Sequence, residues 1–223
     1  MVPFPPTFYI NEKKRKDRIK HIKEEFKDWP TPLHRIEAVK LSPGWKGCTQ
    51  SHRKIVQLAS DRNYPWVLCL EDDCKLEKGG LERFQKVLEY LWTNEDWDIF
   101  NGGISYTHDE HEFKIIEKDI PILQLSGTGT QFILLHKRSY AKILADLSPT
   151  DPIVSIDNYY KDNFPPRYFV TYPHIATQIN GMSSINGLHR NVQKLFTKTN
   201  KTLKNLYNNA KRHLSRRSKN KQG

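Results

Sequence analysis

Apolar positions along this chain recur at two spacings. Short runs at residues 7–10, 34–39, 66–70, 97–100, 123–126, 131–135 and 167–173 are rich in aromatic and β-branched types and read as strands. Between them Ile19, Ile22 and Phe26 recur at helical spacing, as do His52, Ile55, Val56 and Ala59, then Leu81, Phe84, Leu88 and Leu91, then Tyr140, Ile143, Leu144 and Leu147. Strands and helices therefore alternate, an α/β arrangement. Pro43, Gly44 and Gly47 read as a loop before the second helix, and Gly127-Thr128-Gly129-Thr130 as a bend between strands where a ligand could approach the backbone closely. The segment from His174 to His189, rich in Gln, Asn, Ser and Gly, reads as a loop over something polar.

The most informative run is Trp66-Val67-Leu68-Cys69-Leu70-Glu71-Asp72-Asp73. A buried strand ends abruptly in three acids. Adjacent carboxylates repel and are costly to desolvate, and a hard divalent cation that also meets phosphate relieves both costs. The C-terminal edge of a strand is also where open α/β sheets place ligands. The plain alternative is an acidic turn in solvent.

Charge adds a second division. The chain has 223 residues and a net charge of +11. Up to Asp162 there are 24 Lys and Arg against 25 Asp and Glu; from Asn163 on there are 12 basic residues and no acid. The basic character thus belongs to the C-terminal part, which argues against nucleic acid as a partner of the whole domain. Domain organisation follows: residues 1–190 form the main domain, and 191–223 a basic amphipathic helix with a disordered end from 215. Val192, Leu195, Leu203, Leu206, Tyr207, Ala210 and Leu214 mark its apolar stripe. Such a helix either packs on the domain, the default, or lies peripherally on an anionic membrane or touches nucleic acid. There is no long apolar run and no basic-then-apolar leader, so the expected setting is cytoplasmic. Cys48, Cys69 and Cys74 form no CxxC pair, which argues against a disulfide framework or a thiolate metal site and leaves the sequon Asn200-Lys201-Thr202 unglycosylated.

Further candidates come from local context. Asn11 follows the first strand, and Lys13, Lys14, Arg15, Lys16 and Arg18 crowd the expected helix start, where backbone N–H groups also favour phosphate. Arg15 and Arg18 share a face. Asp157, between Ile156 and two tyrosines, is either a general base with a raised pKa or a helix N-cap. Ser51 and His52 read as packing groups beside the site, and His108 and His111 as members of an exposed loop rather than zinc ligands.

Four ordered stretches resemble glycosyltransferase family 25, which includes lipooligosaccharide and collagen hydroxylysine galactosyltransferases. They are Phe8-Tyr9-Ile10-Asn11 with Arg15, Asp17 and Arg18; Arg35-Ile36-Glu37-Ala38-Val39; Gly47-Cys48-Thr49-Gln50-Ser51-His52; and Leu70-Glu71-Asp72-Asp73. Weaker similarity continues through residues 127–135, Asp157 and 173–187. The chain departs from the family pattern at Glu12-Lys13 and at Met182-Ser183-Ser184-Ile185-Asn186.

The resemblance implies a GT-A-type nucleotide-diphospho-sugar transferase fold, a mainly parallel sheet with helices on both faces. It implies transfer of galactose or glucose from a UDP-sugar to a hydroxyl on a glycan, a lipid-linked glycan or a hydroxylated polypeptide. Asn11, Arg15, Arg18 and Asp72 would lie at the nucleotide. Glu71 and Asp73 would hold Mn²⁺ or Mg²⁺, with His174 or His189 completing the set, and Asp157 would be the base of an inverting reaction. Two other classes share parts of this pattern: a metal-dependent nucleotidyl or phosphoryl transferase acting on nucleic acid, and a catalytically silent binding module.

Overall fold

A computed structural model describes residues 2–107, 114–117, 121–182 and 189–219, with the backbone alone for 114–117, 182, 189–190 and 213–219. His108, His111 and the loop at 183–188 lie outside the described residues. The first half of the chain runs β1 (Thr7–Asn11), α1 (Lys16–Glu25), β2 (Leu33–Glu37), α2 (Gly44–Asp61), β3 (Trp66–Glu71), β4 (Cys74–Leu76), α3 (Gly80–Thr93) and β5 (Ile99–Asn101). Next come β6 (Tyr106–Thr107), β7 (Lys114–Glu117), β8 (Ile122–Gln124), β9 (Gly127–Thr128), β10 (Phe132–His136), α4 (Lys137–Asp146) and α5 (Ile156–Asn163). The last elements are β11 (Tyr168–Thr171), β12 (Ala176–Gln178), β13 (Gly181–Met182), β14 (His189–Arg190) and α6 (Gln193–Lys219).

Eight of the described strands form one sheet in the order β2-β1-β3-β10-β5-β11-β8-β7. β2, β1, β3, β5, β11 and β7 run one way; β10 and β8 run the other. The sheet is mainly parallel, as expected, and both faces are covered. Side chains alternate across a strand, so Val67, Cys69, Ile133 and Leu135 fall on one face with Ile55 and Val56 of α2, Ile143 of α4, Tyr160 of α5 and Leu203 of α6. Leu68, Leu70, Phe132 and Leu134 fall on the other with Ile22 and Phe26 of α1 and Phe84, Val87 and Leu88 of α3. Double-sided cover explains why β3 reads as an unbroken apolar run.

The position of the site follows from this topology. β1 lies between β2 and β3, α1 covers one face and α2 the other. The chain therefore switches sides at β1 and β3, and the crevice beyond the carboxyl ends of those strands is where such sheets bind ligands. Ile10 is in register with Glu71, so Asn11 and the three acids emerge side by side.

Four boundaries differ from expectation. α1 begins at Lys16 with Arg15 as its N-cap, leaving Lys13 and Lys14 outside it; the Arg15 N–H bonds the Glu12 carbonyl in a turn, and the Asn11 amide donates to the Arg15 carbonyl. α2 takes in Gly44 and Gly47, with Pro43 as its N-cap. The bend at 127–130 contains a short strand, β9, paired with β6. In α6 the buried face is set by Phe196, Thr199 and Leu203, whereas Leu195 is 48% exposed. The beginning of that helix packs on the main domain: Thr199 donates to the Ile104 carbonyl, and Asn200 Oδ1 accepts the His174 N–H. Its backbone continues as helix to Lys219, past residue 215. No helix among the described residues is long and apolar enough to cross a membrane.

Candidate active site

A cavity of about 360 Å³ opens at the carboxyl ends of β1 and β3, a size suited to a small-molecule site. Its walls bring together Asn11, Arg18, Glu71, Asp72 and Asp73, five of the residues singled out from the sequence, with Gln178 from the far side. Arg15 does not line it; Arg15 forms a two-pronged pair with Asp17 at 2.8 and 3.0 Å. The two arginines expected to act together are thus separated.

Each carboxylate has a distinct anchor. Asp72 accepts the Asn11 amide at 2.7 Å. Asp73 faces the Arg18 guanidinium at 3.8 Å, and Arg18 is itself buried. Glu71 accepts the Thr130 hydroxyl at 2.5 Å. The Gln178 amide stands 3.4 Å from both Glu71 Oε2 and Asp73 Oδ1, long contacts that mark a point on which the two carboxylates converge.

Electrostatics places all three acids under strain. Burial pushes the Asp72 carboxyl up to about 6, opposed by its bond from Asn11. Burial also raises Asp73, opposed first by Arg18. Glu71 is raised by burial and then by the Asp73 charge, against the lowering effect of Thr130. Clustered carboxylates held toward their protonated forms are a setting in which a divalent cation gains by replacing protons.

A pH dependence follows. Asp72 binds its proton more tightly folded than unfolded, so its contribution to stability is full below its ordinary value of 3.8 and is lost as pH rises toward about 6. Without divalent cations, the urea midpoint should fall as pH rises from about 4 to about 6, and Asp72→Asn should flatten that slope.

Thr130 and Gln178 fall in stretches the sequence marks only broadly, the bend at 127–130 and the polar segment after His174, and neither is singled out there as a site residue. Gln178 is delivered by the ribbon β4–β12, in which it is opposite Cys74, and the Ile179 N–H bonds the Asp73 carbonyl. That ribbon lies close because the Ile175 and Ala176 N–H groups both bond the Gly102 carbonyl. A Cβ at Gly103 would come within 1.8 Å of the Ala176 carbonyl oxygen, so only glycine fits there. The available signals were the polar composition of the segment after His174 for Gln178 and the Gly/Thr bend for Thr130.

Gly47 shapes the opposite wall. A Cβ there would meet the Val39 carbonyl at 2.2 Å, and Val39, Lys40 and Leu41 line the cavity. Ser51, one turn on, donates to the Gly47 carbonyl at 2.7 Å and accepts the Val39 N–H at 2.9 Å, the shaping role expected of it. Gly47→Ala should cost about 1–3 kcal/mol by overpacking and weaken ligand binding in the cavity, read from urea midpoints and from titration with nucleotide.

Beneath this wall, Cys48 is half-buried and His52 fully buried. Burial depresses the His52 imidazole to about 4, so it is neutral at pH 7. Burial and then the charges of Glu71, Asp157 and Asp73 raise the Cys48 thiol. The histidine is buried, as read from the stripe, but neither ring nitrogen has a hydrogen-bond partner among the described residues.

The other candidates lie further out. Asp157 is not the N-cap of α5, a place taken by Ser155; it sits in the first turn and accepts the Asn158 N–H at 3.0 Å. It does not line the cavity, yet its charge is felt at Glu71 and Cys48. His174 is buried, edge-on to Phe196 at 5.9 Å, and does not line the cavity. The His189 side chain lies outside the described residues.

Comparisons with known proteins bear on this arrangement. Among curated proteins no sequence relative matches. Of solved structures, a glycosyltransferase involved in the glycosylation of the major capsid of PBCV-1 is similar at 12% identity and a TM-score of 0.45, over 77% of this chain and 83% of that one. A mannose-1-phosphate geranyltransferase from Thermus thermophilus is similar at 12% identity and a TM-score of 0.39, over 74% of this chain and 58% of that one. The model of glycosyltransferase family 25 (LPS biosynthesis protein) matches residues 10–138. That span takes in nearly all of the four ordered stretches and covers more than half of the chain, which therefore belongs to glycosyltransferase family 25.

Proposed function

We propose that this glycosyltransferase moves a hexose, galactose or glucose, from a UDP-sugar to a hydroxyl of a glycan, a lipid-linked glycan or a hydroxylated polypeptide. The observation that carries the reading is the convergence of Glu71 and Asp73 on one point of the cavity, with Arg18 behind them. An all-oxygen pair at that point suits Mn²⁺ or Mg²⁺, which binds through one or two carboxylates and takes its other ligands from phosphate and water. Such an ion would offset charge on the departing diphosphate.

The chain's own residues would divide the remaining work. Arg18 opposes the burial that holds Asp73 toward its protonated form and would add positive charge beside the phosphates. Asn11 holds Asp72 in place at the edge of the cavity. Asp157, exposed enough to meet an acceptor, would take the hydroxyl proton as that oxygen attacks with inversion. With His174 turned toward Phe196, Glu71 and Asp73 are the proposed ion ligands among the described residues. The basic C-terminal helix would bring the enzyme to an anionic membrane face, where lipid-linked acceptors reside.

The test is UDP release from a panel of UDP-hexoses, with Mn²⁺, with Mg²⁺ and with chelator. Release from UDP-galactose or UDP-glucose that chelator abolishes is the expected result. Failure of every donor, together with turnover of nucleoside triphosphates on nucleic acid, would replace this reading with the phosphoryl-transfer alternative. Failure of both would leave a silent module.

A further inference from the structure

We infer that Cys48, His52 and Glu71 form a second cation site, distinct in chemistry from the proposed donor-ion position and selective for a thiophilic ion of the Zn²⁺ class. One ligand atom from each of the three lies within 4.8 Å of the other two. The geometry is built by the fold. Cys48 and His52 are four apart on α2 and so project from one face of the helix. Glu71, alternating with Cys69 along β3, is turned to the sheet face that α2 covers.

A second observation points to a ligand at this place. His52 is 0% exposed and both its ring nitrogens lack partners among the described residues; the buried Tyr160 hydroxyl, whose ring stands edge-on to His52 at 5.9 Å, lacks one among them too. Buried polar groups are normally satisfied, and unsatisfied ones call for a water or an ion. A histidine unpartnered at both nitrogens, beside a thiol and a carboxylate, is a donor set suited to a metal ion.

The donor set also selects the ion. Thiolate, imidazole and carboxylate suit Zn²⁺, whereas Mn²⁺ and Mg²⁺ favour oxygen alone. Tetrahedral Zn²⁺ at its usual bond lengths separates ligand atoms by about 3.5 Å, so the three atoms need draw in by only about 1 Å. Binding forms Zn–S, Zn–N and Zn–O bonds; the Cys48 thiol proton, and any proton on Glu71, passes to solvent. Two anionic ligands then neutralise the dication, which suits a buried place. The Thr130 hydroxyl and the Gln178 amide, already on Glu71, act as outer-shell partners that orient it. Cys48 and Glu71 line the cavity, so the fourth position opens toward it. The absence of a CxxC pair, which argued against a thiolate site, is answered by a histidine one turn on and a carboxylate from the adjoining strand.

Glu71 belongs to both positions, so Zn²⁺ held here draws it from Asp73 and should oppose donor binding that depends on Mn²⁺. The ion site itself does not rest on the donor reading and is tested without nucleotide. Co²⁺ titrated into the reduced full-length protein should develop a thiolate-to-cobalt charge-transfer band that Zn²⁺ erases. Cys48→Ser should abolish the band and weaken Zn²⁺ binding by more than about 100-fold, beyond what loss of an outer-shell partner does. His52→Gln should shift the band and weaken binding, and Asp73→Ala should keep it. Circular dichroism checks that the variants fold. No band in the wild type, or a band that survives Cys48→Ser, would overturn the site. A band retained in Asp73→Ala when that variant and the wild type alike ignore UDP would uphold the site while refuting the donor reading.

Discussion

Asp73→Ala is expected to lower kcat/KM for UDP-sugar turnover by about 10³-fold, equivalent to roughly 4 kcal/mol of transition-state stabilisation. Asp73 is the proposed ion ligand that also faces the buried Arg18, at 3.8 Å. Its loss removes the charge that would fix the ion over the diphosphate and leaves the guanidinium facing the cavity without its carboxylate. Asp73→Asn keeps the volume and should lose nearly as much, because charge rather than shape is the lost quantity. Stability should fall too, because the buried Arg18 charge is left without its facing carboxylate, a loss tempered by the burial that already holds Asp73 toward its protonated form. Steady-state kinetics paired with thermal unfolding separate the two effects: activity falls in a variant that is still folded at the assay temperature.

Phe84→Ala should be among the most damaging single changes to the fold, at about 3–5 kcal/mol. Phe84 is fully buried on α3. Its ring lies 4.9 Å from Phe132, 5.5 Å from Phe4, 5.5 Å from Trp29 and 6.4 Å from Phe100, joining α3 to the sheet and to the N-terminal segment. Truncation loses the transfer energy of the ring and leaves a cavity walled by other rings that cannot readily collapse. For a chain of this length the loss corresponds to a melting temperature lower by about 6–20 °C. Leu195→Ala, on the outward side of α6, should change stability by less than about 0.5 kcal/mol. Urea midpoints at unchanged slope would measure both.

The stripe that identified Phe84 shows what local sequence can reveal. Period-two and period-3.6 patterns report which side of an element is covered, and they placed β3, α3 and the inward face of α2 because those elements are buried by the fold as a whole. The acidic end of β3 was legible for the same reason: three carboxylates after a buried strand have few physical explanations. The start of α1 was not legible, because Lys13 and Lys14 are acceptable in a helix and only the turn made by Arg15 with Glu12 excludes them. In α6, Leu195 and Phe196 are adjacent apolar residues, and periodicity could not say which one the domain would cover. Gln178 and Thr130 reach Glu71 from more than fifty residues away; no spacing rule links them, since β-pairing and the close approach at Gly103 bring them there. The chemistry of His52 was hidden in the same way: the stripe gives its burial but not its lack of partners.

The donor site is tested most directly by thermal unfolding of the wild type and of Asp73→Ala with UDP, each with and without Mn²⁺. A ligand at about 100 times its dissociation constant stabilises the native state by about 2.7 kcal/mol. A shift of that order is expected in the wild type, requiring both UDP and Mn²⁺ and disappearing in Asp73→Ala. A shift with UDP that is indifferent to Mn²⁺, or one that survives Asp73→Ala, would contradict the pairing of Glu71 and Asp73 around a donor-bound ion.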